Sequence, residues 1–372
     1  MFFNKIIGQQ TTIDHLTEMV QQNRLSHALL FLGKEGCGAL PLAIAFANYV
    51  CTRGEYESPA AQNAEKLMHP DIHYAYPVVT RKPGEKPLST DYIKEWRSFI
   101  STYPYGNVYD WLQSIGAENK QGNISAEECN DIIRKLNLKS FESSYKVLVL
   151  WMPEYLGKEG NKLLKLIEEP PADTLFILVA ESEEQILPTI LSRCQLVKIP
   201  LPDTHEIEQA LVSRAGAPAE AARQIAGICE GNYREALHLY QHTEEDWQAE
   251  LKDWLNAVVK GGPLAQVKWI DEMTKHGREK QKQFLRYFNH LLEQSIRLRI
   301  LAEMAPPMPD SEKDFALRLN KITGVSQQQA IIEELDKAAF YIERNAHGKM
   351  LFHALTIKLK HIIQDKALFL AD

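Results

Sequence analysis

Five short runs of near-continuous apolar residues mark the first two hundred positions: HALLFL at 27–32, DIHYAYPV at 71–78, KVLVLW at 146–151, TLFILVA at 174–180 and QLVKIP at 195–200. Apolar runs without alternation fit strands of a parallel sheet covered on both faces. Between them the apolar spacing changes to three and four. This predicts helices over 11–22 and 40–51 around the first run, over 125–135 before the third and over 158–169 before the fourth. Ser125 followed by Glu128 reads as a capping box, and Pro170 with Pro171 as a sharp stop. Strands alternating with helices imply an α/β domain whose ligand edge lies at the strand C-termini.

The strand signal ends at Pro202. Residues 203–245 suit a few short helices, and from 246 onward longer apolar-periodic segments such as DWQAELKDWLNAVV and KMLFHALTIKLKHII form a separate helical domain. The expected division is therefore 1–202, 203–245 and 246–372, with PPMPDSEKD at 306–314 as a loop inside the last part. The stretch 80–122 breaks the alternation with RKPGEKP and then the aromatic-rich DYIKEWRSFISTYPYGNVYDWL. It reads as an insertion packed on the outside of the first domain, structural or partner-facing rather than catalytic.

A length of 372 residues allows two or three cores, and 45% hydrophobic with 24% charged residues is ordinary for a soluble chain. A net charge of -7 argues against coating nucleic acid or an anionic membrane by bulk attraction. Cys37, Cys51, Cys129, Cys194 and Cys229 are odd in number and form no CxxC pair, so neither a disulfide framework nor a four-thiolate zinc site is expected. The N-terminus MFFNKIIGQQ lacks a secretory core and no run is long enough to span a bilayer. The expectation is a soluble protein of the reducing cytoplasm.

GKEGCGAL at 33–40 follows the first strand and precedes a helix, as a phosphate loop does. Gly33 and Gly38 have the spacing of GxxxxGK[ST] and Gly36 adds a third glycine, but Ala39 and Leu40 stand where the lysine and the magnesium-binding hydroxyl belong. A second acidic site should close another strand, with one carboxylate for magnesium and one to polarise water. KVLVL ends instead in Trp151, Met152 and Pro153, and Glu154 comes three positions late, reading as a solvated carboxylate at a helix start. Lysine, hydroxyl and both carboxylates are lost together, which argues against hydrolysis and leaves nucleotide binding absent or weak.

The order IIGQQ at 6–10, RLSHALLFLGKEGCG at 24–38, HPDIH at 69–73, KVLVLWMPEYL at 146–156, NKLLKLIEEPP at 161–171 and ILSRCQ at 190–195 resembles bacterial clamp-loader subunits of the AAA+ class. Among these it looks most like the delta-prime family of DNA polymerase III. The resemblance covers about residues 1–240, with LIEEPP and the following LSRCQ as its most specific pair. It implies a P-loop-type parallel-sheet domain, a helical lid and an all-α collar that assembles with other subunits. It also implies a part in loading a sliding clamp on primed DNA beside gamma/tau motor subunits and a delta subunit, with no membrane partner.

In that family the delta-prime subunit does not hydrolyse ATP, and its SRC motif gives an arginine to the neighbour's ATP site. Ser192, Arg193 and Cys194 match the motif one for one. Such an arginine is planar, always charged and able to hold two phosphate oxygens, and it is worth about 10³ to 10⁵ in rate. Ser192 is expected to orient the turn and Cys194 to be a small buried residue, neither doing covalent chemistry. Arg234 in GNYREALHL matches the second sensor, leaving two readings: reach toward nucleotide phosphates, or a salt bridge within the lid. The four-cysteine zinc module of many relatives is missing, and His69 with His73, separated by Pro70, is not expected to bind metal. The rival reading is a self-sufficient AAA+ ATPase with an unconventional loop.

Overall fold

The structure is a computed structural model that describes residues 2–80, 84, 86–118, 120–241, 247–301, 310–343 and 346–365. It divides into two compact units, Met1–Gln241 and His242–Asp372. The expected boundary at 245/246 lies outside the described residues.

The first unit is built on five parallel strands, β1 (Ala28–Leu32), β2 (Ile72–Ala75), β3 (Lys146–Trp151), β4 (Thr174–Ala180) and β5 (Gln195–Lys198), in the order β2-β3-β4-β1-β5. Register is fixed by pairs such as Leu30↔Leu178 and Leu148↔Phe176. Successive side chains on a strand point to opposite faces. Leu29, Phe31, Val149, Ile177 and Val197 accordingly enter one apolar cluster, while Leu30, Leu148, Leu150, Phe176 and Leu178 enter another. The central runs are apolar throughout because both faces are covered. β5 departs from that expectation: Val197 is buried, but Gln195, Leu196 and Lys198 are exposed, since β5 is an edge strand.

Helices α1 (Gln10–Gln21), α2 (Ala39–Thr52) and α3 (Pro59–Glu65) are followed by α4 (Ile93–Thr102), α5 (Val108–Ser114) and α6 (Ala126–Leu136). Ser125 caps α6 by accepting from the Glu128 N–H at 3.2 Å. The reciprocal half of the expected box is absent, because the buried Glu128 carboxylate accepts from the Ser89 N–H at 2.7 Å instead. The expected 158–169 helix is also different. A 3₁₀-type winding covers Pro153–Leu163 with a kink at Gly157, and only α7 (Leu164–Glu168) is α-helical. Two glycines, Gly157 and Gly160, weaken α-helix there.

The larger correction concerns 80–122, of which residues 81–83, 85 and 119 lie outside the described set. The described part does not sit on the outside. Tyr92, Trp96, Phe99 and Trp111 are buried in the same cluster as α2 and β3. Trp96 stacks on Tyr76 at 3.9 Å, meets Trp111 edge-on at 5.3 Å and packs against Trp151 at 5.3 Å. The Trp111 indole donates to the Pro77 carbonyl at 2.7 Å. The described aromatic part of the insertion is core, and its aromatic richness was the sign of that.

After α8 (Pro188–Leu191) and β5 come α9 (Thr204–Ala210), α10 (Ala219–Ile228) and α11 (Tyr233–Gln241). They form a helical lid around Ile207, Leu211, Ala222 and Ile225, joined by Ile7 and Tyr105.

The second unit holds α12 (Trp247–Val259), α13 (Pro263–Met273), α14 (Arg278–Leu301), α15 (Asp310–Ile322), α16 (Val325–Glu343) and α17 (Gly348–Lys360). Its core centres on Trp254, stacked on Trp269 at 4.8 Å, with Phe284, Phe288 and Phe352 around them. Part of the expected 306–314 loop lies outside the described residues, and the rest, from Asp310, is the first turn of α15. Among the described residues no helix is long and apolar enough to cross a membrane.

Candidate functional site

Strand β1 delivers the chain into the glycine loop, where the Gly33 N–H donates to the Ala180 carbonyl at 3.1 Å and ties the loop to the end of β4. Gly38 takes φ +90° as the residue before α2, a conformation that favours glycine. A β-carbon there would lie 2.7 Å from the Tyr105 ring. Ala39 and Leu40 face inward and are buried. The loop therefore has the strand-turn-helix form of a phosphate cradle, but Pro104, Tyr105 and Gly106 from the insertion stand in front of it. A cavity of about 30 Å³ remains between them, Cys37, Leu40 and Met152.

At the end of β3, Trp151 and Met152 are buried, Trp151 against Trp96 and Phe99. Glu154 corrects the solvated reading given to it. One carboxylate oxygen accepts from the Glu181 and Ser182 N–H groups at 2.7 and 3.0 Å, and the other is buried without a hydrogen-bond partner. Burial pushes its pKa above the usual glutamate range. It ties the end of β3 to the end of β4.

Arg234 opens α11 and is 3% exposed. Its Nε and Nη2 grip Asp110 at 2.5 and 2.7 Å, and its Nη1 donates to Glu35 at 3.1 Å. These two ion pairs run out of the lid and not within it. One runs to the insertion and the other to the glycine loop. Asn107 donates to the second Glu35 oxygen at 3.1 Å.

Ser192, Arg193 and Cys194 form the turn from α8 into β5. Ser192 Oγ donates to the Thr189 carbonyl at 3.2 Å and holds the turn. Cys194 is only half-buried, unlike the buried residue expected, and its partial burial pushes the thiol up to about 11, far from a reactive thiolate. Arg193 donates through Nη1 to the Thr189 carbonyl at 2.5 Å and through Nε to Glu168 at 2.7 Å, with Nη2 on the same carboxylate oxygen. Side-chain exposures of 30% for Arg193 and 45% for Glu168 leave the pair open to solvent. Exposed pairs of this kind are worth roughly 0–1 kcal/mol.

His69 Nε2 is buried without a hydrogen-bond partner. His69 Nδ1 accepts from the Asp71 N–H at 3.1 Å, and His73 sits in β2 with its pKa lowered to about 4 by burial. No group of three or more His, Cys, Asp or Glu side chains suited to a metal occurs among the described residues. Sequence reasoning passed over Tyr105, Asp110, Glu35 and Glu168. The Asn107-x-x-Asp110 capping pattern was a readable sign of helix α5, but nothing in it pointed to Arg234.

A family model described as DNA polymerase III, delta subunit, matches residues 8–203, more than half of the chain. DNA polymerase III subunit delta' of Bacillus subtilis is 26% identical over 62% of this chain and 58% of its own length. Subunit tau/gamma of Haemophilus influenzae is 25% identical over 64% of this chain and 30% of its own length. The matched region thus spans less than two thirds of either relative. A gamma subunit-related protein of Thermotoga maritima resembles the fold at a TM-score of 0.39 and 15% identity, over 94% of this chain and 98% of that one. On the extent of the family match, the chain belongs to the family described as DNA polymerase III, delta subunit, and with it to the clamp-loader proteins.

Proposed function

We propose that this chain is the delta-prime-type member of a clamp loader: a subunit that does not hydrolyse ATP and lends Arg193 to the ATP site of an adjoining motor. Relatives of both delta' and tau/gamma type match to similar degrees, so the choice rests on chemistry. The observation that carries it is the glycine loop with Ala39 and Leu40 at its end and the Tyr105 ring set against Gly38. Such a loop has Ala39 where the lysine belongs and no carboxylate at 151–153, so it lacks the groups with which a motor steadies the γ-phosphate and holds magnesium at those positions. Arg193 complements this, because it is solvent-accessible on the exposed turn before edge strand β5.

On this reading the partners are gamma/tau-type motors and a delta-type subunit, acting in the cytoplasm on a sliding clamp and primed DNA. The chain needs no nucleotide or zinc of its own. The test is reconstitution of the clamp loader with Arg193→Ala. Assembly by gel filtration should be unchanged, while turnover at the motor site facing this chain falls by about 10³-fold or more. Unaltered turnover removes the finger assignment. Magnesium-dependent ATP binding by the isolated chain favours the self-sufficient ATPase instead.

A further inference from the structure

Seven residues of the insertion, 104–110, touch the N-terminal segment, the glycine loop and the lid. The Tyr105 hydroxyl accepts from the Ile7 N–H at 2.8 Å, and its ring lies against Gly38 and edge-on to Tyr233 of α11 at 5.0 Å. Asn107 holds Glu35 of the loop, and Asp110 holds Arg234 of the lid, which also reaches Glu35. N-terminal segment, glycine loop and lid thus meet on one short stretch.

We propose that residues 104–110, with Glu35 and Arg234, are a built-in latch that fixes the lid to the sheet domain in place of nucleotide. An arginine fork recognises a carboxylate by the same two-pronged geometry that it uses for phosphate. Here Asp110 and Glu35 supply both negative charges from within the chain, in a setting where Arg234 is buried. A buried ion pair adds little net stability against an apolar replacement, yet loss of one partner is costly, so such a pair favours a single arrangement of the parts it joins. Tyr105 and Tyr233 are buried beside the junction. The lid position therefore follows the insertion and not the nucleotide state of the cell.

The experiment is hydrogen exchange of the full chain read by mass spectrometry over α9–α11, with β1 and β4 as internal reference. Wild-type lid exchange should be slow and unchanged by millimolar magnesium-ATP. Asp110→Asn should speed lid exchange about tenfold, and Asp110→Asn with Glu35→Gln about 100-fold, while β1 and β4 stay protected. Tyr105→Leu should loosen the lid without touching the ion pairs. Arg234→Met combined with Asp110→Ala should cost less than the sum of the two single changes, the sign of a direct partnership. Lid exchange that is unaltered in Asp110→Asn and Tyr105→Leu, that slows with ATP in the wild type, or that rises together with β1 and β4 overturns the latch. Arg193→Ala should leave lid exchange unaltered, so the latch and the proposed finger fail separately.

Discussion

Trp96→Ala tests whether the insertion is part of the core or an appendage. Trp96 is fully buried, stacked on Tyr76 and in contact with Trp111, Phe99 and Trp151. Truncating a buried tryptophan removes its transfer free energy and leaves a cavity, together about 3–5 kcal/mol. The indole N–H is buried without a hydrogen-bond partner, so no donor bond is lost and Trp96→Phe should be milder, about 1–2 kcal/mol. With a urea slope of about 2–3 kcal/mol/M, Trp96→Ala should lower the midpoint of the first unit by about 1–2 M. The two units of the chain need separate probes. Pulsed hydrogen exchange on peptides from β3 and β4 across a urea series reports on the sheet alone. Tyr103→Ala, half-exposed in the same insertion, is the control and should move the midpoint by less than about 0.2 M. A Trp96→Ala shift below about 0.4 M would refute the core assignment and restore the view of an external appendage.

Putting the missing residues back should not restore the ATP site. Ala39→Lys with Leu40→Thr places both new side chains where the chain is already buried behind Tyr105, so equilibrium dialysis should show no ATP binding until Tyr105 is also reduced to glycine. His73 is held neutral, its pKa lowered to about 4 by burial, below the ordinary histidine value. The unfolded chain therefore binds the proton more readily, and stability is lost as pH falls from about 6.5 toward 4. His73→Gln should flatten that part of the urea-midpoint profile. Burial pushes Cys37 and Cys51 up to about 12 and Cys129, Cys194 and Cys229 up to about 11, so a thiol-disulfide reagent at neutral pH should find no fast-reacting thiol in the native chain and five in denaturant. A fast equivalent in the native chain would contradict the burial described here.

The sheet was legible because a strand buried on both faces has no polar positions to confuse it: β1, β3 and β4 coincide closely with their apolar runs. β5 was read too generously, since four residues with one buried face differ little in composition from a central strand. The winding after β3 was misread because apolar spacing does not distinguish 3₁₀ from α-helix over a single turn, and only the glycines at 157 and 160 hinted at the kink. At the site, absences could be counted residue by residue: Ala39, Leu40, Trp151 and Met152 are what they are in any fold. What replaces the lost groups could not be read, because Asp110 and Arg234 are 124 positions apart and no local pattern links them.

The sequence by itself determined the α/β alternation, the helical remainder and the presence of Ala39 and Leu40 at the end of the glycine loop, because each follows from residue type and near-neighbour spacing. Tertiary structure alone decided that the aromatic insertion faces inward and not outward, that Glu154 ties two strand ends and that Arg234 grips two carboxylates. The physical reason is one of range. Hydrophobic periodicity says that a face must be covered but not by what, and a charge finds its partner by the packing of elements far apart in the chain. GKEGCGAL gives the residues of the loop, and only the fold shows the Tyr105 ring against its Gly38.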